Sequence, residues 1–213
     1  MTVVLHGYHH SVYLRIARLT LAEKGVVYER VEVNPFAPDL PAGYLELHPF
    51  GRVPVLVHDG FALYETAAIT RFIDRALPGP PLQPTDPKAL ARMDQIIGVV
   101  DAYAYWPLVR QVFAHRVIRP HFRQPADEAE IAKGLAAAPK VLGALEKLAS
   151  GDAFLVGSSV SLADLHLGAM IAYFVQAPEG AAMLPSYPRL ATWWATIAAR
   201  PSFATTDPSP QQR

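Results

Sequence analysis

The chain has 213 residues, 51% of them hydrophobic, with 19 basic and 19 acidic side chains that balance to zero net charge. That length holds one generous domain or two small ones, and the even charge argues against nucleic acid or a strongly charged partner. There is no cysteine, which excludes disulfides, thiolate metal sites and a cysteine nucleophile. The opening run Thr2-Val3-Val4-Leu5-His6-Gly7 has no basic stretch ahead of a long apolar one, so no secretory signal is expected. No apolar run reaches the ~18–20 residues that span a bilayer, and a soluble cytoplasmic protein is the expectation.

Residues 2–6 predict a buried strand. Ser11 is placed to cap a helix over 12–24, in which Ile16, Leu19 and Ala22 recur at compatible spacing and after which Gly25 suits a left-handed cap. The Val-rich segment 26–33 predicts a second strand, so the chain opens as an α/β unit. Residues 34–50 are irregular, with Pro35, Pro38, Pro41 and Pro49, apart from a short helical turn around 42–47. Segments 53–58 and 61–64 flank Asp59-Gly60, whose residues tolerate positive φ, and so predict a hairpin. From 66 to 77 the spacing is helical again, with Ala68, Phe72 and Ala76 beside Ile69 and Ile73.

The run Pro78-Gly79-Pro80-Pro81-Leu82-Gln83-Pro84 cannot form a helix and marks a boundary. Beyond it Thr85 or Asp86 caps a helix with Pro87 at its first position, and the pattern stays helical, without a strand, to Arg200. The expected fold class is therefore α/β plus all-α. Its domains span 1–79 and 86–203, joined by a linker over 80–85. The tail after Ser202 is polar and predicted to be poorly ordered.

Several residues carry chemistry. Pro54 has no N–H for a central ladder, so Val53-Pro54 belongs at the start of a strand. At a helix N-terminus, Thr66 offers backbone N–H groups, a hydroxyl and the positive end of the dipole to a carboxylate, or serves simply as a cap. Glu65 beside it accepts from an ammonium group, and Arg52 can fork onto a carboxylate. His9-His10 has no third ligand at metal spacing, so no metal site is expected. Ser161-Leu162-Ala163-Asp164 has the spacing of a capping box with Asp in place of Glu. On the helix after the linker, Tyr103, Tyr105, Trp106, Val109 and Phe113 have a spacing that suits a core or a dimer interface.

The stretch Pro49-Phe50-Gly51-Arg52-Val53-Pro54-Val55-Leu56, followed by Leu63-Tyr64-Glu65-Thr66, resembles the glutathione-binding half of a glutathione S-transferase. The loop Gly7-Tyr8-His9-His10-Ser11, the capping box at Ser161 and the stretches from Tyr187 and from Ala199 to Phe203 also resemble that superfamily, in matching order over residues 2–203. The resemblance implies an N-terminal thioredoxin-like domain and a helical-bundle C-terminal domain that receives the acceptor substrate. It implies a cis bond before Pro54, with Val53 paired main chain to main chain with the cysteinyl residue of glutathione. Glu65 and Thr66 would hold the γ-glutamyl group and Arg52 the glycyl carboxylate. Two departures stand out. His48 replaces a usual Asn and reads as structural, and Asp39-Leu40 stands where the serine-type subgroup often carries a His-Lys pair.

Ser11 resembles the thiol-activating serine of the phi- and theta-like groups, with Tyr8 as the rival hydroxyl and His10 as a possible auxiliary. Tyr103 and Trp106 would line the acceptor pocket. The implied activity is conjugation of the glutathione thiolate to a hydrophobic electrophile held between the domains. The alternatives are a glutathione-dependent cis-trans isomerase and a non-catalytic binding protein of the same fold. Glutathione is a co-substrate, no further cofactor is implied, and the expected assembly is a homodimer without nucleic acid or membrane partners. The missing cysteine argues against the thiol-disulfide branches.

Overall fold

The computed structural model describes residues 2–149 and 153–208. It divides into two compact units, one of residues 2–81 with 201–208 and the other of described residues from 82 to 200.

The first unit is built on a four-stranded sheet of β1 (Val3–Gly7), β2 (Glu29–Glu32), β3 (Val55–His58) and β4 (Phe61–Tyr64), in the order β2-β1-β3-β4. The β1–β2 pair is parallel and the other two pairs are antiparallel. Helix α1 (Val12–Glu23) joins the parallel strands, a short α2 (Tyr44–Leu47) precedes β3, and α3 (Thr66–Ala76) follows β4. One apolar layer comprises Val3 and Leu5 of β1, Leu56 of β3, Leu14, Ala17 and Leu21 of α1, and Ile69 and Ile73 of α3. A second groups Val33, Tyr44 and Val55 with Leu40, Leu47 and Tyr64. The alternation of buried and half-buried residues along β1 follows from side chains pointing to opposite faces of a strand.

β2 is shorter than the Val-rich run 26–33 predicts. Gly25 takes a φ of 68°, and the N–H groups of Gly25 and Val26 return to the carbonyls of Ala22 and Leu21. This is the double-bonded, left-handed end of a helix. With its N–H engaged there and its side chain in the apolar layer, Val26 closes α1 instead of opening β2. The hairpin is as expected, with positive φ at both Asp59 and Gly60. Asp59 also ties the chain start, since its carboxylate accepts from Thr2 N–H at 2.7 Å.

The end of the chain corrects the expectation of a poorly ordered tail after Ser202. Residues Pro201–Thr205 form a helix, α10, packed on α1. Arg15, only 4% exposed, donates to the carbonyl of Phe203 at 3.0 Å, with its guanidinium 5.6 Å from that ring. Arg18 donates to the Thr206 carbonyl at 3.2 Å, and Ser202 donates to Glu23 at 2.5 Å. Polar composition misled here because the acceptors that satisfy α1's arginines are main-chain groups far along the chain. Residues 209–213 lie outside the described residues.

In the second unit every described element is helical: α4 (Pro87–Val99), a π-helical segment (Val100–Ile118), α5 (Arg119–His121), α6 (Glu128–Leu148), α7 (Leu162–Phe174), α8 (Pro178–Met183), a 3-10 turn (Leu184–Ser186) and α9 (Pro188–Ala198). Asp86, not Thr85, caps α4, accepting from Ala89 N–H at 2.8 Å. The wider winding of Val100–Ile118, in which Arg119 N–H reaches the Ala114 carbonyl, holds Pro107. In an ordinary α-helix that proline would remove a hydrogen bond and press on the carbonyl four residues back.

Every residue of α7 is buried, against the π-helical segment, α4 and α9. Its start is fixed by Asp164, whose carboxylate accepts from Leu155 N–H (2.8 Å), Ser161 N–H (2.8 Å), Ser161 Oγ (2.6 Å) and Trp193 Nε1 (2.8 Å). The capping box read from the sequence is thus a node that also joins α9. Among the described residues no helix is long and apolar enough to cross a membrane.

Candidate active site

The sheet register determines which predicted residues meet. Val55 lies opposite His6 of β1 on one side and Tyr64 of β4 on the other. The chain leaves β1 into Tyr8–Ser11, enters β3 from Arg52-Val53-Pro54 and leaves β4 into Glu65-Thr66. Three segments separate in sequence therefore meet at one end of three adjacent strands.

In the first loop, Ser11 takes extended backbone angles and caps α1, its Oγ accepting from Leu14 N–H at 3.2 Å. A hydroxyl has one hydrogen to donate and two lone pairs, so this cap leaves its O–H for another acceptor at the positive end of α1. The turn is closed by Ser11 N–H on the Tyr8 carbonyl at 2.8 Å. Burial, then the charge of Glu32, pushes the Tyr8 phenol up from its ordinary value. The Tyr8 ring meets His10 edge-on at 5.5 Å and Phe36 at 5.9 Å. His9 is drawn toward β2, its N–H donating to Glu32 at 2.8 Å and its Nδ1 lying 3.0 Å from Arg30. Burial and the neighbouring Arg30 lower its pKa. No cluster of metal-ligating side chains forms among the described residues.

In the second segment the Val53–Pro54 peptide bond is cis. The paired register begins at Val55, so the Val53 N–H and C=O lie outside it. Tyr44 donates its hydroxyl to the Arg52 carbonyl at 2.7 Å, and burial raises its pKa to about 12, which keeps it a donor. His48, 2% exposed, stacks on Tyr64 at 4.6 Å, and burial lowers its pKa. Arg52 itself is exposed.

In the third segment Glu65 holds a φ of 69°, uncommon for a residue with a side chain and worth about 1–3 kcal/mol of local strain. Its carbonyl accepts the first helical bond, from Ile69 N–H at 2.9 Å. No side chain caps α3, so Thr66 is its first residue and not its cap. The N–H groups of Thr66, Ala67 and Ala68 precede the first bonded turn and face whatever lies before the helix.

Tyr103 and Trp106 belong to the other unit, on the π-helical segment. They are 64% and 58% exposed, whereas Val109 and Phe113 of the same run are buried. The sequence did not single out Tyr44 or Phe36, and it singled out Glu65 for its carboxylate and not for its positive φ. The composition of 34–50 offered no sign that Tyr44 reaches Arg52.

Residues 10–76 match the family model of the glutathione S-transferase N-terminal domain, and residues 105–201 that of the C-terminal domain. The chain is 31% identical to a glutathione S-transferase of Hyoscyamus muticus over 96% of this chain and 97% of that one. It is 29% identical to glutathione S-transferase F13 of Arabidopsis thaliana over 98% and 96%. The solved apo structure of glutathione S-transferase III superposes with a TM-score of 0.84 at 28% identity, covering 97% of this chain and 95% of that one. Matches over nearly the whole chain, with the thioredoxin-like sheet and helical second unit described above, show that this protein belongs to the glutathione S-transferase family.

Proposed function

We propose that this protein is a glutathione transferase that binds glutathione at the end of its sheet and directs the thiolate at a hydrophobic electrophile. The observation that carries this reading is the register of His6, Val55 and Tyr64, which supports a single ligand spanning the three segments. Val53 would pair its main chain with the cysteinyl residue. The uncapped start of α3 at Thr66, with Glu65 beside it, would take the carboxylate and ammonium of the γ-glutamyl end. Arg52 would take the glycyl carboxylate. Ser11 would donate its hydroxyl to the sulfur, favouring the charged thiolate together with the α1 dipole. Its position at the cap, at the positive end of α1, favours it over Tyr8. Tyr103 and Trp106 are proposed for the acceptor side, and a homodimer for the assembly. Turnover of glutathione with 1-chloro-2,4-dinitrobenzene tests the reading. Conjugation by wild type and its loss in Ser11→Ala support it, and wild-type turnover in that variant removes Ser11 from the mechanism.

A further inference from the structure

We propose that Glu32 and Arg30, at the end of β2, are positioning residues that clasp His9 and so hold the β1–α1 loop, with its Ser11 hydroxyl, where the glutathione thiol ionises. The proposal rests on the transferase reading above and deepens it.

Main-chain pairing of β1 with β2 runs out at Gly7, which lies opposite Glu32. One further bond, from Val33 N–H to the Gly7 carbonyl at 3.1 Å, closes the pair. Beyond it the chain leaves the sheet, and Tyr8 to Ser11 form a turn closed by Ser11 N–H on the Tyr8 carbonyl at 2.8 Å. A turn of this kind engages the carbonyl of its first residue and the N–H of its fourth. The N–H of the second residue, His9, takes no part in that closure. Glu32 supplies its acceptor, reaching past the end of the strand pairing to His9 N–H at 2.8 Å. Bonds from a backbone N–H to a carboxylate are stronger than those between neutral groups.

Arg30 completes the clasp. It stands two residues before Glu32, on the same face of β2. Its guanidinium lies 3.5 Å from Glu32 Oε2 and 3.0 Å from His9 Nδ1. Arginine only donates, so Nδ1 accepts and the neutral ring carries its proton on Nε2. One side chain of β2 thus fixes the His9 backbone and another its ring.

The clasp serves placement more than folding. Arg30 and Glu32 are exposed, and an exposed ion pair adds little to stability. The turn they steady begins at Tyr8 and ends at Ser11, whose Oγ accepts from Leu14 N–H and has its O–H left for the sulfur. A displacement of about 1 Å in such a group can cost about 100-fold in rate. The tripeptide is assigned to Arg52, Val53, Glu65 and Thr66 in the other two segments, so slack in this loop should alter activation and spare binding. The charge of Glu32 works the other way. Negative charge beside the loop disfavours a thiolate, as it disfavours the phenolate of Tyr8. Position and charge therefore predict opposite effects when the charge alone is removed.

The test measures the pKa of the bound glutathione thiol, from thiolate ultraviolet absorbance across a pH series, in wild type, Glu32→Ala, Glu32→Gln and Arg30→Ala. Steady-state kinetics with 1-chloro-2,4-dinitrobenzene and denaturant midpoints accompany it. In Glu32→Ala the thiol pKa should rise by about one unit, a tenfold loss of thiolate below that pKa. The kcat measured below that pKa should fall in step, while KM for glutathione and the denaturant midpoint stay near wild type. Glu32→Gln, which keeps an oxygen for His9 N–H, should recover most of the shift. Arg30→Ala should shift the thiol the same way by less. An unchanged thiol pKa in Glu32→Ala and Arg30→Ala overturns the clasp and leaves the transferase reading intact. A thiol pKa lowered in Glu32→Gln overturns it too, since charge and not position would then dominate. A wild type that ionises bound glutathione no more readily than free glutathione overturns both.

Discussion

Tyr44 donates its hydroxyl to the main-chain carbonyl of Arg52 at 2.7 Å, bracing from beneath the segment that leads into the cis Val53–Pro54 bond. Tyr44 is buried, and its partner carbonyl is the last acceptor before the residue proposed to pair with glutathione. Tyr44→Phe keeps the ring packing and orphans that carbonyl, at a cost of about 1 kcal/mol. The KM for glutathione is expected to rise about fivefold, the equivalent of that energy, with a smaller change in the KM for the electrophile. Steady-state kinetics with each substrate varied in turn check it.

Ser11 has two jobs that separate by substitution. Ser11→Ala loses both the cap on Leu14 and the hydroxyl, whereas Ser11→Asn keeps a capping oxygen without a hydroxyl of the right reach. Urea unfolding should show a loss of about 1 kcal/mol for Ala and little for Asn. Both variants should lose conjugation. An active Ser11→Asn would show that the residue only caps its helix.

Acid should weaken the first unit. His6, His9 and His48 all have pKa values lowered from 6.5, chiefly by burial. The unfolded chain then binds more protons than the native one between the lowered values and the ordinary one. The stability from keeping these rings neutral is whole above the unfolded value and is lost as pH falls toward the native values. Denaturant midpoints at pH 7.5, 6.5 and 5.5 should decrease in that order. His48→Gln should flatten part of the slope.

Asp164 gathers four donors from the loop before α7, from Ser161 and from Trp193 of α9. Asp164→Ala leaves those buried donors without an acceptor, at about 1–3 kcal/mol for each one orphaned. A fall in Tm of at least about 4 °C is expected, since 1 kcal/mol moves a chain of this size by roughly 2–4 °C. Differential scanning calorimetry measures it. Trp193→Phe removes one donor and should cost less.

What was readable in advance was local. The cap at Ser11, the Asp59-Gly60 turn, the box at Ser161–Asp164 and the helix after the proline run each depend on residues a few positions apart, so their signals sit in short windows. What escaped depends on distant partners. The bond from Tyr44 to Arg52 needs α2 folded onto β3. Docking of α10 needs Arg15 and Arg18 to find main-chain carbonyls at Phe203 and Thr206. The positive φ of Glu65 has no sequence mark, because non-glycine residues adopt it only when their surroundings impose it. Within the candidate site, residue types were legible, and the register that brings them together was not.

If the protein works as proposed, the β1–α1 loop ionises the thiol of glutathione bound at the sheet end. Ultraviolet difference absorbance near 240 nm, where a thiolate absorbs, follows that ionisation directly when glutathione is added to the protein across a pH series. Wild type should show a thiolate band at pH values well below the usual thiol pKa of about 8.5, and Ser11→Ala should lose it. A bound thiol that ionises no more readily than free glutathione, or a band of equal size in Ser11→Ala, would contradict it.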